Sequence, residues 1–417
     1  MKRNFWVVVT TVILLSSCAK DNVPLTGINL SLKAVYVKTG ESIDVLAAAD
    51  PINATSASFT WTSRNENIAT VDNKGKITGV QFGNTWVVVS NSDNLISDSC
   101  EVFVNGTSAG LTGADSLSLG AGYAYDVYYS MKNGVVATVS RTNWDLGFMT
   151  GARTSTIIIN SGSGVKLYTY PSGDTTAWAT VNISGISGWK AMYNSDTTWS
   201  LGAFERNALG HPDYGWGVYN SINHDVKGDS IYILQLPDQS YRKIWIKKKY
   251  SVENEYIFKI ASVDGTGEIT DTVDCKPYTS RNFVYYSVTG AKTVDREPAA
   301  DSWDFVATKY TAMIPDGSGG FVPYTVTGIL TNSGVRSARV NGAPLNTTDY
   351  SSAVFQTNIS VIGSDWKSFD MNTYKYTVST DRVYFVKDLT STVWRLVFKS
   401  FGGSSTGIIG FEKAKLN

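Results

Sequence analysis

The chain has 417 residues, and its 36 Lys and Arg residues balance 36 Asp and Glu residues, which gives a formal net charge of +0. This balance provides no electrostatic reason to expect nucleic acid as a partner. The 23 Tyr, 12 Trp and 37 Gly residues, together with the lack of a long helical stripe, predict an all-β protein of roughly three domains.

The first residues have the pattern of a lipoprotein signal peptide. Lys2 and Arg3 precede an apolar run over residues 5–15 that is too short to span a bilayer. The run ends in Leu-Ser-Ser-Cys at 15–18, which resembles the lipobox of bacterial lipoproteins; an ordinary signal peptide that contains a cysteine is the alternative. The resemblance implies a signal peptide over 1–17, acylation of Cys18 and a tether over 18–23.

This anchor leads us to expect an outer-membrane lipoprotein at the cell surface. The segment Ala-Lys-Asp-Asn at 19–22 loosely resembles the surface-export signal of Bacteroidetes lipoproteins, although it has a single acidic residue. Membrane attachment would then come from the lipid on Cys18, since each buried methylene contributes about 0.8 kcal/mol.

In residues 24–105, short strands with alternating side chains are separated by turn residues at the spacing that is typical of a small β-sandwich. The informative segments are Thr-Gly-Glu at 39–41, Trp-Thr-Ser at 61–63, Ile-Ala-Thr-Val-Asp at 68–72 and Gly-Lys-Ile-Thr-Gly-Val at 75–80. They resemble the bacterial group 2 Ig-like domain. The resemblance implies an Ig-like β-sandwich that often serves as a spacer, with Trp61 in its core.

Three signals occur twice in the remaining chain, in the same order and at similar offsets. They are Val-Tyr-Tyr-Ser at 127–130 and 284–287, Trp-Asp at 144–145 and 303–304, and Asn-Ser-Gly at 160–162 and 332–334. This repetition predicts two related β-rich lobes, over 112–275 and 276–417. We expect the aspartate of each Trp-Asp pair to cap a neighbouring turn. The copies differ most around 171–228 and 335–375, where loops are expected to carry function.

The second lobe resembles the HmuY-like haem-binding lipoproteins of Bacteroidetes. The segments that carry the resemblance are 302–305, 332–334, 362–367, 383–387 and 394–398, and the first lobe matches less fully, at 143–146 and around Tyr232. Over roughly 112–417, the resemblance implies β-rich lobes that hold haem between loops and pass it to an outer-membrane transporter. Met371 stands near one axial-ligand position, whereas the segment expected to supply the other ligand, 340–356, contains neither His nor Met.

His211 and His224 are the only histidines, and both fall in the divergent loop of the first lobe. Neutral imidazole is a suitable iron ligand, and Tyr214 and Trp216 could flank a porphyrin face. The alternatives are polar surface histidines and, for Met371, an ordinary packing methionine. The sequence therefore predicts haem-iron candidates at Met371, His211 and His224, with Tyr214 and Trp216 as contacts.

The other reactive residues predict structural roles. Cys100 and Cys275 fall in different predicted domains, so we expect two buried thiols rather than a disulfide. Lysines 247–249 follow a strand and are predicted to protect a sheet edge, with phosphate binding as the alternative. No catalytic motif has the structural context that it needs, and we expect no enzyme activity.

Two functions other than haem acquisition stay open. One is an adhesin-like or glycan-binding surface lipoprotein, which the Ig-like stalk and four tryptophans that look exposed suggest, namely Trp178, Trp189, Trp199 and Trp216. The other is an accessory protein of the envelope whose lobes bind a partner protein.

Overall fold

The computed structural model describes residues 23–55, 58–81, 83–105 and 112–417, and the chain is all-β, as predicted. The signal peptide at 1–17, Cys18 and most of the tether lie outside the described residues, as does the segment 106–111. Within the part of the chain that is described, no helix is long and apolar enough to cross a membrane.

Among its described residues, the N-terminal domain has nine strands around its own apolar core. They are β1 (Gly27–Leu30), β2 (Ala34–Lys38), β3 (Ser42–Asp44), β4 (Ala47–Asp50), β5 (Thr60–Ser63), β6 (Ala69–Val71), β7 (Lys76–Gly79), β8 (Gly83–Ser90) and β9 (Ser97–Asn105). The sheets run β2-β9-β8-β5, β3-β7-β6 and β1-β4. Trp61 packs against this core, which agrees with the structural role predicted for it.

The remaining chain contains 22 strands among the described residues. They are β10 (Thr112–Ser118), β11 (Tyr125–Ser130), β12 (Gly134–Ser140), β13 (Leu146–Met149), β14 (Ile157–Ile159), β15 (Lys166–Thr169), β16 (Gly217–Tyr219), β17 (Val226–Gly228), β18 (Tyr232–Gln235), β19 (Tyr241–Tyr250), β20 (Glu255–Ser262), β21 (Ile269–Asp274), β22 (Phe283–Ser287), β23 (Lys292–Val294), β24 (Phe305–Pro315), β25 (Phe321–Thr331), β26 (Arg336–Asn341), β27 (Lys367–Asp370), β28 (Lys375–Val378), β29 (Arg382–Lys387), β30 (Val393–Phe401) and β31 (Ile408–Lys415).

Helices are short and lie in the connections. One α-helical turn, α1, spans Gly403–Thr406, and 3₁₀ turns span Ala121–Tyr123, Ser161–Ser163, Thr175–Thr180, Ile186–Gly188, Ala203–Glu205 and Lys276–Tyr278.

The first β unit comprises β13–β23. Its larger sheet runs β15-β18-β19-β17-β16 with β20 and β21 continuing from β19, and it packs against the sheet β14-β13-β22-β23. Side chains alternate along β18, since Tyr232 and Leu234 enter the core between the sheets while Ile233 packs on the opposite face. Cys275 is a free thiol in this core, and Cys100 is a free thiol in the core of the N-terminal domain. The prediction of two buried thiols is therefore confirmed.

The second β unit comprises β10–β12 and β24–β31. A five-stranded sheet, β10-β31-β30-β29-β26, packs against the sheet β12-β11-β24-β25, and β27 and β28 form a separate hairpin. The core between the sheets includes Val127 and Tyr129 from β11, Phe305 from β24 and Leu396 from β30.

The two units exchange strands. β11 pairs with β24, so that Tyr128 lies opposite Val306, and β22 pairs with β13, so that Tyr285 lies opposite Gly147. Each Tyr-Tyr strand of the repeat therefore pairs with the strand that follows the Trp-Asp motif of the other copy. Each core takes strands from beyond the predicted boundary at 275 and 276, because β10 and β11 complete the second core and β22 completes the first.

The repeated tryptophans have matching surroundings. The ring centroid of Trp144 lies 4.8 Å from that of Tyr285 at an interplanar angle of 81°, and Trp303 lies 4.9 Å from Tyr128 at 77°. Both pairs have the edge-to-face geometry that aromatic quadrupoles favour. The match supports the internal duplication that the sequence predicts.

The repeated aspartates and asparagines hold the exchanged strands. Asp145 Oδ2 accepts a hydrogen bond from the backbone N–H of Val288 at 2.7 Å, and Asp304 Oδ2 accepts one from Met131 at 2.6 Å. Each of these N–H groups follows a Tyr-Tyr-Ser strand, so the predicted turn-capping role of the aspartates is confirmed. Burial raises the pKa of both carboxyls, that of Asp304 to about 6.

The asparagine of each Asn-Ser-Gly turn fixes the start of its own Trp-Asp strand. Asn160 Nδ2 donates to the carbonyls of Arg141 and Trp144 at 2.8 and 2.9 Å, and Asn332 Nδ2 donates to those of Ala300 and Trp303 at 2.6 and 2.8 Å. Without these amides, the carbonyls of Trp144 and Trp303 would have no hydrogen-bond partner among the described residues, whereas the carbonyl of Arg141 also accepts from Ser163 Oγ at 3.2 Å.

A buried ion pair joins the units. Arg296 Nη2 lies 2.6 Å from Asp126 Oδ2, and the side chains are 2% and 5% exposed. The guanidinium lies 4.8 Å from the ring centroid of Tyr285. A cavity of about 70 Å³ beside this pair is lined by residues of both units. Arg296 Nε and Trp144 Nε1 have no protein partner among the described residues, so we expect ordered water in this cavity.

Loops cover the outer face of each larger sheet. In the first unit, the segment 177–191 packs Trp178 and Val181 against Ile231 and Ile233. In the second unit, the segment 343–355 packs Leu345 and other apolar side chains against Val383, Phe385 and Val397. Much of the divergent loop sequence therefore has a packing role.

Candidate functional site

The position of Met371 is set by the β27–β28 hairpin. The two strands pair antiparallel, with Phe369 opposite Tyr376 and Asp370 opposite Lys375. Asp370 forms the turn, since its Oδ1 accepts a hydrogen bond from the N–H of Asn372 at 2.8 Å and its Oδ2 accepts one from Thr373 Oγ1 at 2.9 Å. The hydrogen bond from the backbone of Asn372, together with those from Thr373, lowers the pKa of the Asp370 carboxyl.

Met371 is the first residue of this turn and is 71% exposed. It is therefore not the packing methionine that was the alternative to a ligand. Three aromatic side chains of the same hairpin are also exposed to solvent, namely Phe369 at 42%, Tyr374 at 76% and Tyr376 at 37%. Their rings contact one another, with 4.8 Å between the centroids of Phe369 and Tyr376 and 6.4 Å between those of Phe369 and Tyr374.

The hairpin is attached to the second β unit at its base. Lys367 Nζ donates to the carbonyl of Thr327 at 2.5 Å and to that of Ser364 at 3.3 Å. Its ammonium lies 4.3 Å from the ring centroid of Trp366, and burial lowers the pKa of Lys367 to about 7. The ring of Tyr376 packs edge-on against Phe401, with 4.7 Å between centroids.

The sequence did not single out the three aromatic rings. A signal was present, because aromatic residues flank Asp-Met-Asn-Thr at 370–373, which has the composition of a tight turn. A hairpin with aromatic residues on both strands could have been predicted from it.

The predicted residues of the first unit separate into two groups. His211, Tyr214 and His224 meet around Tyr219, whose ring centroid is 5.2 Å from that of His211 and 5.7 Å from that of Tyr214. His224 Nδ1 shares a short hydrogen bond with Tyr219 Oη. This ring cluster lies at the surface, with His211 exposed and His224 half-buried.

Trp216 does not belong to that surface. It is fully buried in the core of the first unit, and its Nε1 donates to the carbonyl of Ser155 at 2.9 Å. It therefore cannot flank a ligand at the surface, because the loop that carries it folds back over the core. Trp178, one of the tryptophans expected to be exposed, belongs to the covering loop at 177–191, is buried against the larger sheet, and donates from Nε1 to Glu268 Oε2 at 2.7 Å.

The candidate side chains have donor atoms that suit haem iron, but they do not all lie at one position. A thioether is a known axial ligand of haem iron, and Met371 presents one beside apolar ring surface. His211 and His224 belong to the first unit, on elements other than the β27–β28 hairpin, so the structure provides two separate candidate positions. In the described residues, no group of three or more His, Cys, Asp or Glu side chains could hold a bare metal ion.

Similarity to known proteins is clearest at the N-terminal domain. Residues 24–95 match the family model of the bacterial Ig-like domain (group 2). A Bacillus cereus protein named only as uncharacterized is 30% identical over 91 residues, which are 21% of this chain and 69% of that protein. Domains 4 and 5 of the S-layer protein SbsC match with 22% identity over 19% of this chain and 51% of that chain, at a TM-score of 0.17.

Two Bacteroides structures also match. A protein from Bacteroides fragilis, provisionally named a lipoprotein, is 13% identical over 35% of this chain and 76% of that chain, with a TM-score of 0.17. A protein from Bacteroides vulgatus, provisionally named HmuY-like and heme-binding, is 15% identical over 35% of this chain and 78% of that chain, also at 0.17. These values are too low to carry a function over. The family match is therefore to a domain: residues 24–95 form a bacterial Ig-like domain (group 2).

Proposed function

We propose that the chain is a surface lipoprotein that binds haem, with the thioether of Met371 as an axial ligand. The observation that carries this proposal is the exposure of Met371 at the end of a hairpin whose neighbouring aromatic rings are also exposed. Burying such a side chain would contribute roughly 1.5–3 kcal/mol to folding. A hairpin that leaves several of them in water is the expected form of an apolar binding surface.

The turn supports the same proposal through its backbone. Tyr374 has a φ of 55°, in the left-handed region that glycine and asparagine occupy at lower cost. Its side chain is 76% exposed, so tertiary packing does not offset this cost. Backbone strain of this kind is concentrated at ligand-binding sites.

Phe369 and Tyr376 supply apolar contact beside the candidate ligand. Their rings are directly opposite each other across the hairpin and would cover part of one porphyrin face. Met371 would hold a bound haem through its thioether sulfur, a soft donor that raises the reduction potential of haem iron relative to histidine ligation. His211, His224 and Tyr214 stay proposed as contacts of a second position, in the first unit.

Acylation of Cys18 would hold the protein at the outer membrane, facing outward, and from there it would pass haem to an outer-membrane transporter. The support for this part is the lipobox-like segment at 15–18 and the sequence resemblance of residues 112–417 to HmuY-like lipoproteins. We also propose that the chain has no enzymatic activity of its own.

Titration of hemin into residues 19–417 tests the proposal. We expect a saturable Soret shift at micromolar protein, and we expect Met371→Ala to weaken binding by about tenfold or more, the loss that corresponds to one iron ligand worth at least ~1.4 kcal/mol. Met313→Ala is the matched control, because Met313 is 39% exposed on the neighbouring β24–β25 hairpin. It should leave the titration unchanged.

The absence of a Soret shift with folded protein would end the haem proposal. A shift that Met371→Ala leaves unchanged but that His224→Ala removes would move the site to the ring cluster of the first unit.

A further inference from the structure

The outer face of the larger sheet in the first unit is covered only in part. The covering loop reaches Trp245, which packs half-buried against it. Beyond Trp245 lies a groove of about 470 Å³, within the range of about 300–1,000 Å³ that is usual for small-molecule sites. We name it the basic groove, after the side chains that determine its chemistry: Lys227, Trp245, Lys247, Lys248 and Tyr250.

A β-bulge creates this surface. In the pairing of β19 with β20, Ile246 lies opposite Phe258 and Lys248 lies opposite Ile257, so Lys247 has no partner. The extra residue shifts the alternation of side chains, so that Trp245 and Lys248 share the outer face. Without the bulge, Lys248 would point into the core.

The pairing of β19 also shows that the prediction for the three consecutive lysines, 247–249, was wrong. They do not protect a sheet edge, because β19 is hydrogen-bonded to β17 and β18 on one side and to β20 on the other. Lys249 points inward, is 1% exposed and donates to Asn254 Oδ1 at 2.5 Å. Burial lowers its pKa to about 8. Lys247 and Lys248 instead line the basic groove.

The groove carries excess positive charge. Its one carboxylate, Asp225, lies 2.9 Å from Lys248 Nζ and is therefore already paired. Lys227 and Lys247 form no ion pair with any described residue. Lys227 also lies directly opposite Lys248 across the β17–β19 pair. Like charges in directly opposed positions destabilise a sheet, so folding alone does not favour this arrangement.

Aromatic rings lie between the charges. Lys247 Nζ is 5.6 Å from the ring centroid of Trp245, and Lys248 Nζ is 3.7 Å from that of Tyr250. Partly exposed rings offer flat apolar surface on which the C–H face of a sugar ring can stack, while ammonium groups bind carboxylate or sulfate oxygens. The amides of Asn220 and Asn223 at the rim can both donate to and accept from hydroxyl groups.

We propose that the basic groove binds an anionic saccharide, that is, a short oligosaccharide that carries carboxylate or sulfate groups. The charges favour an anion, and the mixture of rings and amides favours a sugar over a bare phosphate. The net charge of +0 over the whole chain disfavours an extended nucleic acid. This inference is independent of the proposed ligand Met371, which lies in the second unit.

Isothermal titration of residues 19–417 with three probes tests the inference: trigalacturonate as the carboxylate, a chondroitin sulfate tetrasaccharide as the sulfate, and maltotriose as the neutral control. We expect one or both anionic probes to bind and maltotriose not to bind. Binding should weaken as the salt concentration rises from ~50 to ~300 mM, because screening shortens the range of the lysine charges. The response to each probe identifies which anionic group is recognised.

Two variants assign the binding to the groove. Lys247→Glu reverses an unpaired, solvent-facing charge and should reduce affinity by about tenfold or more. Trp245→Phe keeps a ring against the covering loop and should reduce affinity by a smaller factor. Lys292→Glu, at an exposed lysine of β23, is the matched control and should leave the affinity unchanged. Hemin binding at the Met371 position should be the same in Lys247→Glu as in the wild type, which separates the groove from that position.

The inference is overturned if none of the saccharides binds to protein that is folded by circular dichroism. It is also overturned if maltotriose binds as well as the charged probes, or if Lys247→Glu binds them with wild-type affinity. A single-stranded oligonucleotide that binds in a Lys247-dependent manner, where the saccharides do not, would replace it with a nucleic-acid site.

Discussion

The first and second β units hold their exchanged strands with the same polar contacts, but they differ in what the outer face of each larger sheet presents to solvent. Asp145 and Asn160 in one unit make the same contacts as Asp304 and Asn332 in the other. The covering loop of the first unit stops at Trp245 and leaves the basic groove open. The difference indicates that the duplicated fold keeps the contacts on which its assembly depends and varies the surfaces.

Met371 contrasts with the methionines of the cores, among them Met131 of its own unit, which is fully buried. Met192, in the first unit, is 5% exposed and packs in the core, whereas Met371, in the second unit, is 71% exposed at a hairpin turn. Each unit therefore has its own candidate surface: a charged, aromatic groove in the first and an apolar hairpin in the second.

The largest expected effect comes from separating the units at the predicted boundary. A chain of residues 112–275 should remain unfolded, because its core lacks β22, β10 loses its partner β31, and β11 keeps β12 but loses β24. A chain of residues 141–294 contains β13–β23 and should be the more structured of the two. Far-UV circular dichroism and urea unfolding measure this. Equal cooperative transitions in both chains would show that strand exchange is dispensable.

The next effect concerns the ion pair between the units, which has no counterpart within the repeat. Arg296→Met should lower the free energy of unfolding by about 3–5 kcal/mol, because it leaves the carboxylate of Asp126 buried without its partner. Arg281→Met is the control, since its partner Asp295 is 66% exposed, and it should cost less than about 1 kcal/mol. Similar losses in the two variants would mean that water reaches the pair at Arg296.

The repeated asparagines allow a direct comparison between the units. Asn160→Ala should cost roughly 2–3 kcal/mol, because it removes the donor to two backbone carbonyls. Asn332→Ala should cost about 1 kcal/mol more, since its Oδ1 also accepts a hydrogen bond from Asn282 Nδ2 at 2.8 Å. Urea unfolding of both variants measures the difference, and a larger loss at Asn160 would contradict the expected order.

The last effect is a pH dependence at the base of the β27–β28 hairpin. Burial lowers the pKa of Lys367 from 10.5 to about 7, so the unfolded chain binds more protons between these values. Its contribution to stability should therefore rise with pH across this window. Lys367→Met should flatten the rise in the urea midpoint between about pH 7 and about pH 9.5. Lys375→Met, at an exposed position of β28, should keep the wild-type slope.

Sequence patterns were sufficient for the fold class, the Ig-like domain and the turn-capping role of Asp145 and Asp304. They could not reveal the strand exchange. Both copies contain Val-Tyr-Tyr-Ser, so pairing within a lobe and pairing between lobes satisfy the same alternation of side chains. Only the complete packing of the two cores distinguishes these arrangements.

The candidate sites were predictable to a lesser degree. Met371 was identified because it stands near an axial-ligand position of the HmuY-like family that the second lobe resembles, but its exposure depends on how the hairpin leaves the body of the protein. Trp216 was assigned to a surface, because a sequence of aromatic residues in a loop does not indicate whether the loop folds back over a core. The basic groove depends on a bulge at Lys247, and a run of three lysines looks the same with or without one.

The exchanged strands also determine when each part of this chain can fold. Leu117 in β10 shares a core with Phe411 in β31, near the other end of the sequence. During synthesis, the early strands emerge long before their partners, and such distant pairings form slowly. Until then, an unpaired strand rich in tyrosine and valine is open to aggregation.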